Sequence, residues 1–593
     1  MSSDSSELRA PNETMAVSLP GRTHRFASVT EEKADGVTYT PRTLADFVST
    51  QILRAAELSG RKGVLQLLDP AVGDGELLVS LASKLVDIPN ISVHFNGYDT
   101  DSAALKRAEA RIRRLCPKAP VDFTHGSFLD VVAGSACQRS LFESPAEPRY
   151  DFVIANPPYA RTQIMGASRA QELARTFGLN GRVDTYYAFI LGISTVLKSD
   201  GVAGIIVSNR FMSTRSGESV RRSILNKFSL LHVWDFGDTK LFDAAVLPAV
   251  LLVKPKANGE QSSKFTTIYE TNDSGSLKAA CPVEAVEHSG VVEVKDGRRF
   301  RVVSGLLAGR DDEGDVWRVA TQSGDSWLAT VQKHSWGKFG DIGKIRVGVK
   351  TCADKVFIRD DWDSLSQGER PELLKPLTTH HIGRRYKPLT DNRERFILYP
   401  HEVVDGERRV VDLSKFPASR KYLEEHRATL EGRSYVLKAG RKWYEIWVPQ
   451  DPAAWDKPKL VFRDISEEPM FWLDFDRSVV NGDCYWVLSE RHGEDLLWLA
   501  AAVGNSKFAE QYYDHMFNNK LYAGRRRFIT QYVQEFPLPD PSKELSKRII
   551  AKAKHLYQTA GTAQAEADAA ELEVLVHEAF GLGGEKIAGK RNL

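Results

Sequence analysis

Tyr150-Asp151-Phe152-Val153-Ile154-Ala155-Asn156-Pro157-Pro158-Tyr159 decides how this chain is read. The stretch up to Ala155 is an apolar, strand-like run, and Asn156–Tyr159 form a rigid exit from it. Each proline fixes φ near −65° and removes a backbone donor. The residue before each proline is also pushed out of the helical region. The product is a stiff, extended hook at the carboxyl end of a buried strand, where open α/β sheets bind their ligands. Asn156 brings an amide acceptor to that edge, Pro157 a carbonyl with no N–H of its own, and Tyr159 a flat ring. Two acceptors beside one aromatic face suit a planar heterocycle with an exocyclic amine. A Pro-Pro turn with a capping Asn would share this sequence, so the weight falls on its surroundings.

Upstream, Leu65-Gln66-Leu67-Leu68-Asp69-Pro70-Ala71-Val72-Gly73-Asp74-Gly75 reads as strand, tight loop and helix start. Gly73 and Gly75 permit a sharp turn and a close backbone approach to a ligand. Leu78 stands where a dinucleotide fingerprint has its third glycine. A phosphate cradle is therefore disfavoured. The acidic lead residue Asp69 suits a cationic ligand, and S-adenosylmethionine carries both a sulfonium and an ammonium. Asp99 ends the next strand, where a carboxylate can take both hydroxyls of a ribose. Gly126-Ser127-Phe128 follows a third strand, with Phe128 available to an adenine. Plain turn glycines and a helix N-cap at Asp99 are the competing readings of these loops.

A chain of 593 residues is long enough for several domains. Its 42% hydrophobic and 27% charged residues are those of a globular protein. With a net charge of only +2, a polyanion site must be a local cluster. Cys116, Cys137, Cys281, Cys352 and Cys484 form no CxxC pair. That argues against a zinc site or a disulfide framework and for a reducing cytoplasm. The histidines show no HExxH-type spacing, and no metal is expected. No signal-peptide core is evident. The longest apolar run, Ala244–Val253, contains Pro248 and is too short to span a membrane.

Residues 1–32 lack periodicity and are expected to form a flexible arm. Across residues 33–257, strand-like runs alternate with amphipathic stretches. Val64–Leu68 precedes Leu77–Leu85, Ser92–Tyr98 precedes Ser102–Leu115 with Asp101 or Ser102 as cap, and Tyr186–Leu197 precedes Ala203–Ser208. Val233–Phe236 and Ala249–Val253 are expected to close the sheet as a hairpin. This alternation predicts a parallel sheet with helices on both faces. Residues 258–541, opening with a linker at Asn258–Ser262, are richer in Trp, Tyr, Arg and Pro. Short strands are expected there at Lys344–Val349, Lys355–Ile358, Arg395–Tyr399 and Lys459–Arg463. Residues 542–593 turn helical, with Leu545, Ile549, Ala553, Leu556, Leu572, Leu575 and Ala579 at helical spacing.

In order, Tyr39-Thr40-Pro41, Asp69-x-Ala71-x-Gly73-x-Gly75, Asp99, Ser127-Phe128 and Asn156-Pro157-Pro158-Tyr159 resemble the TaqI-like DNA adenine-N6 methyltransferases. A Thr-Pro segment ahead of the glycine loop, with a large recognition domain last, is the γ-class motif order. Looser matches at Gly348–Phe357, Pro458–Val461 and Thr530–Val533 carry the likeness into the second half. The resemblance implies an α/β class I methyltransferase (Rossmann-like) catalytic domain followed by a mixed α+β target recognition domain. It implies S-adenosylmethionine as cofactor, with Thr40, Asp69 and Ala71 at its methionine end, Gly73 and Gly75 in the loop around it, and Asp99 on the ribose. Ser127 and Phe128 would frame the cofactor adenine. The family usually has Asp where Ser127 stands, so a weaker hydrogen bond is implied at that point.

Asn156, Pro157, Pro158 and Tyr159 would be the catalytic hook. Phe242, ahead of Val246-Leu247-Pro248, would pack on the target base opposite Tyr159, unless it is a core phenylalanine. Arg525, Arg526 and Arg527, with Tyr522 and Phe528, form a basic aromatic cluster suited to DNA, or else an ordinary solvated loop. The implied partners are double-stranded DNA and a separately encoded restriction endonuclease, in a cytoplasmic, monomeric setting. A protein-glutamine or guanine-amine methyltransferase could use a similar hook, but it needs no recognition domain of this size. A non-catalytic DNA-binding relic would not need the hook, the glycine loop and the ribose acid together.

Overall fold

The computed structural model describes residues 40–58, 60–137, 149–159, 167–179, 184–242, 246–257, 262–309, 315–366, 368–389, 395–490, 493–517, 520–521 and 524–583. The arm expected at 1–32, Tyr39, Tyr522 and most of the 258–262 linker lie outside them. β1 (Gly63–Asp69), β2 (Ile91–Asp99), β3 (Val121–His125), β4 (Tyr150–Ala155) and β5 (Leu197–Ser208) pair in parallel in the order β3-β2-β1-β4-β5. β6 (Phe228–Asp235) and β7 (Pro248–Pro255) extend the sheet as the expected hairpin, with β7 antiparallel to both β5 and β6.

Side chains alternate between two cores, as the pleat of a doubly covered sheet requires. Leu67, Phe152, Ile154, Val202 and Ile206 meet residues of helices Arg42–Ala55, Glu76–Leu85 and Ser102–Leu115. Leu68, Val153, Ala155, Ala203 and Ile205 meet those of helices Phe128–Cys137, Thr185–Val196 and Glu218–Lys227.

The boundary expected between residues 257 and 258 falls inside this sheet. β8 (Lys264–Glu270) pairs in parallel with β6. Beyond it the order runs through β11 (Arg299–Ala308) and β10 (Gly290–Val294) to β9 (Leu277–Ala279), and β12 (Arg318–Ala320) pairs with β11. Ile268, Val292, Phe300 and Val302 join the same core as the Arg42–Ala55 helix. The first unit therefore runs on to about Ala320.

The rest of the chain is organised around a four-stranded antiparallel sheet. Its strand Lys459–Arg463 lies between Phe471–Asp474 and Cys484–Val487, and Arg346–Val347 flanks the latter. Leu460, Phe462, Leu473 and Val487 face one core, and Val461, Trp472 and Trp486 face another. The C-terminal helices Glu544–Gln558 and Ala563–Ala579 are part of the first of these cores through Ile549, Ala553, Leu556, Leu572 and Leu575. Lys355–Ile358, expected as a strand, is instead mostly a helical turn, Asp354–Phe357, followed by Ile358–Arg359 as a short strand. Thr351 starts that turn by bonding to Asp354 and accepting the Ala353 amide at 3.0 Å. The two units meet where the Tyr532 hydroxyl donates to the Ser213 hydroxyl at 3.1 Å and the Gln531 amide donates to the Ser213 carbonyl at 3.4 Å. No helix among the described residues is long and apolar enough to cross a membrane.

Candidate active site

Strand register lines up the residues singled out by the sequence. Asp69 is level with Gly97, Asp99 with His125, and Ala155 with Ile205. The carboxyl ends of β1, β2, β4 and β5 thus share one edge. The chain runs outward from β1 to β3 and returns to β4 on the other side of β1. The crevice at that reversal is the usual ligand position in such sheets.

The glycine loop is shaped on one side by packing and on the other by open space. Gly73 and Gly75 have φ of 53° and 82°, where side chains are strained. A Cβ at Gly75 would lie 2.8 Å from the Ala108 Cβ, whereas at Gly73 nothing lies within 4 Å. Gly75 therefore lets the loop sit on helix Ser102–Leu115, and Gly73 leaves room for a ligand. Asp99 organises the loop by accepting the Gly73 amide at 2.8 Å and the Asp101 amide at 2.8 Å. The cap of the following helix is Asp101, which accepts the Ala103 amide at 2.8 Å and the Ala104 amide at 3.2 Å.

Asp69 is fully buried. One oxygen accepts the Ala71 amide at 2.9 Å, and the other, Oδ2, has no hydrogen-bond partner among the described residues. Burial pushes its carboxyl up to about 8 against the pull of the Ala71 amide, and the charges of Asp99 and Asp74 add to the rise. A buried acceptor left unpaired costs roughly 1–3 kcal/mol. A cationic group brought to that oxygen removes the cost, so the donor set fits the methionine end of S-adenosylmethionine.

At the hook, the Asn156 side chain is bonded at both ends. Its Nδ2 donates to Thr40 Oγ1 at 3.0 Å, and the Tyr159 hydroxyl donates to its Oδ1 at 2.6 Å. Pro157 is buried, while Pro158 and Tyr159 are half-buried. The Tyr159 ring meets Tyr186 edge-on, with centroids 5.9 Å apart at 75°. Burial holds the Tyr159 hydroxyl well above its ordinary range, so it stays protonated and can donate.

Other singled-out residues sit deeper than the sequence suggested. Phe128 is 2% exposed, stacked on Phe189 at 5.9 Å and tilted against Tyr98 at 5.7 Å. Its ring fills the core beneath the crevice. The Ser127 hydroxyl accepts the Leu129 amide at 3.2 Å, at the start of helix Phe128–Cys137. Phe242 is buried with Phe236 and Trp234 in one core, whereas Tyr159 packs on the other. In this conformation the two rings do not form a pair. Residues 243–245, next to Phe242, lie outside those described.

Arg526 departs from its expected DNA-facing position. It is 5% exposed, bonded to Asp514 at 2.8 and 2.7 Å and to Glu510 at 2.8 Å. Arg527 is exposed but paired with Asp464 at 3.2 Å, and Phe528 is buried. Arg525 is exposed. Adjacent residues of a strand point to opposite faces, which a run of three arginines conceals.

Sequence reasoning missed Asn209, Asp235 and Tyr269 at the ends of β5, β6 and β8. The Asp235 carboxylate accepts the Tyr269 hydroxyl at 2.6 Å, the Asn209 amide at 2.8 Å and the Gly237 amide at 3.0 Å. Burial still pushes it up to about 6. A polar residue closing an apolar strand was the available signal. Also unanticipated is a cavity of about 250 Å³ in the C-terminal unit, lined by Lys355, His380, His381, Arg395 and Asn481 among others. Among the described residues no cluster of His, Cys, Asp and Glu could hold a metal ion.

Residues 122–242 match the Eco57I restriction-modification methylase family, and residues 409–538 match the TaqI-like C-terminal specificity domain. The type II methyltransferase M.BanIII of Aneurinibacillus aneurinilyticus is 37% identical over 546 residues, covering 89% of this chain and 93% of its own. M.PaeR7I, a type II methyltransferase of Pseudomonas aeruginosa, is 26% identical over 80% of this chain and 81% of its own. A solved nuclease-deletion mutant of the type ISP restriction-modification enzyme LlaGI, in complex with a DNA substrate mimic, shares the fold. Its TM-score is 0.50 and its identity 12%, over 88% of this chain and 55% of that one. Identity of 37% along almost all of both chains is family membership: this chain belongs to the type II methyltransferases of restriction-modification, with a class I methyltransferase fold and S-adenosylmethionine as methyl donor.

Proposed function

We propose that the protein methylates the 6-amino group of an adenine flipped out of double-stranded DNA, at a sequence read by its C-terminal unit. The observation that carries this is the Asn156 amide at the end of β4, its oxygen accepting from the hydroxyl of the half-buried Tyr159. The amine of adenine is a poor nucleophile because its lone pair is delocalised into the ring. If the Asn156 oxygen and the Pro157 carbonyl accept its two hydrogens, the nitrogen is drawn toward sp³ and the pair is localised. The same acceptors stabilise the positive charge that develops on nitrogen during transfer. No dedicated general base is required.

When bound, S-adenosylmethionine supplies the methyl group. Asp69 and Thr40 would hold its methionine end, and Asp99 its ribose. Both Asp99 oxygens already accept backbone amides, but a carboxylate has about four acceptor positions and keeps room for ribose hydroxyls. Flipping a base costs a few kcal/mol, and stacking on Tyr159, at roughly 1–3 kcal/mol, offsets much of it. As the amine arrives, the Tyr159 hydroxyl gives up its bond to Asn156. The setting is a cytoplasmic restriction-modification system whose separately encoded endonuclease cuts unmethylated sites, with this chain acting as a monomer. Plasmid DNA incubated with tritiated methyl donor tests the reading. Label recovered on cytosine or on protein, and not on adenine, would sink it.

A further inference from the structure

We infer that Thr40 is a positioning residue for the methyl acceptor: its hydroxyl sets which way the Asn156 amide faces. The inference rests on the role proposed above for Asn156. A side-chain amide is nearly isosteric on rotation by half a turn, and only its hydrogen-bond partners choose between the two orientations. The wrong choice would present an N–H₂ donor to an amine whose hydrogens need an acceptor. Tyr159 cannot choose alone, because a phenol hydroxyl both donates and accepts; a threonine hydroxyl does so too, and it chooses only when its own proton is committed to another acceptor. At the other end, Thr40 Oγ1 receives Asn156 Nδ2 at 3.0 Å.

Thr40 can perform this task because it adjoins a well-anchored helix. It precedes helix Arg42–Ala55, whose first turn is tied to the Pro41 carbonyl through the Leu44 and Ala45 amides at 3.0 Å each. That helix lies so close to β5 that a Cβ at Gly204 would come 2.6 Å from Val48 and 2.9 Å from Ile52. Gly204 is in register with Ile154, two positions before Asn156 on β4. Helix and strand thus bring Thr40, two residues before the one, against Asn156, one residue after the other. The hydroxyl carries one proton. While it accepts from Asn156, that proton is free for a second acceptor. A carboxylate such as that of the cofactor's methionine end would take the proton and hold the hydroxyl as an acceptor toward Asn156. Cofactor occupancy would then stiffen the orientation that the reaction needs.

The test compares Thr40→Val, which keeps shape and loses the hydroxyl, with Thr40→Ser, which keeps the hydroxyl. Thr40→Ala serves as a second deletion should the valine variant melt early. At saturating cofactor, Thr40→Val should lower the single-turnover rate about 10- to 100-fold, a partial loss of one transition-state acceptor. Thr40→Ser should stay within about threefold of wild type on the same scale. Protein labelled with ¹⁵N-asparagine gives a readout independent of turnover. The side-chain amide signals of Asn156, identified by their loss in Asn156→Ala, should sharpen on adding cofactor to wild type and Thr40→Ser but not to Thr40→Val. A Thr40→Val enzyme with full rate at saturation and only weakened cofactor binding would overturn the inference, as would failure of serine to rescue. Full activity in Asn156→Ala would instead overturn the reading on which it rests.

Discussion

Replacing Asp69 by asparagine tests whether the buried carboxyl is the partner of a cationic cofactor. In the free protein Asp69 titrates near 8 because it is buried with Asp99 and Asp74 nearby, so at neutral pH it is mostly protonated. A positive group at Oδ2 favours the ionised form, and binding below that pH must expel one proton. Linkage then fixes the slope: the logarithm of Kd falls by one per pH unit while the free group is protonated and the bound one ionised. From about pH 5.5 to about 7.5 the Kd should tighten about 100-fold, roughly 2.7 kcal/mol at 1.36 kcal/mol per unit. That window lies below the ordinary titration of an α-amino group. Stability of the free protein should move the other way. Unfolded Asp69 ionises at 3.8 and folded Asp69 at about 8, so between these values the folded state binds the extra proton and stability falls as pH rises. Calorimetric titration in buffers of different ionisation enthalpy counts the proton directly. Asp69→Asn should bind weakly with a flat pH profile. A flat profile in wild type, or the same slope in the asparagine variant, would refute the assignment.

Asn156→Ala should abolish transfer and leave cofactor affinity within about threefold, since the residue acts on the nucleophile. Asp99→Ala should raise the cofactor Kd because the Gly73 loop loses its organiser, and swapped phenotypes would mean the crevice is misassigned. Tyr159→Phe should stay active, because the ring face is used and the hydroxyl bond to Asn156 is broken in any case; Tyr159→Ala should lose roughly 1–3 kcal/mol of extruded-base stabilisation, read as lower turnover with little change in duplex affinity. Phe242→Ala should melt earlier, with about 3–5 kcal/mol lost as for other buried phenylalanines; a large loss of activity per folded molecule would return the ring to the target-base site. Arg525→Ala should flatten the salt dependence of DNA binding by about one unit of slope. Arg526→Ala should instead destabilise the fold by roughly 1–3 kcal/mol, because its bonds to Asp514 and Glu510 are lost while Lys520 stays on Asp514; a normal melting temperature would contradict this.

The parts of the fold legible in the sequence are those whose pattern is local or doubly buried. β1 and β4 read as strands because both faces are covered, and Asp101 reads as a cap because its partners, Ala103 and Ala104, are its own next turn. β8 to β12 escaped because a strand's pattern does not say which sheet it joins. β11 alternates buried Phe300 and Val302 with exposed Arg301, and its place beyond β6 depends on pairing that only the folded chain reveals. The same limit hid the Thr40–Asn156 bond, whose partners are 116 positions apart. It also hid the division of labour among Arg525, Arg526 and Arg527, since Asp514 and Asp464 choose between them from other elements.

Three carboxylates close strands along the same edge, and their hydrogen bonding separates their roles. Asp99 is half-buried and has both oxygens on backbone amides, which makes it the builder of the loop with acceptor capacity to spare. Asp235 has three donors from Tyr269, Asn209 and Gly237. Its demand is nearly met, and burial lifts it only to about 6. Asp69 has a single amide and one orphaned oxygen, and burial lifts it to about 8. Asp69 and Asp235 are both buried, so the difference between them lies in the donors that the chain supplies and in the charges of Asp99 and Asp74 beside Asp69. On the function proposed above, the third site is left short for a ligand to complete. A positive donor would suit that place best, because an opposite charge favours the ionised form of a carboxyl for which the chain provides so little. The open space at Gly73, on the same loop two residues beyond Ala71, gives that ligand room to enter.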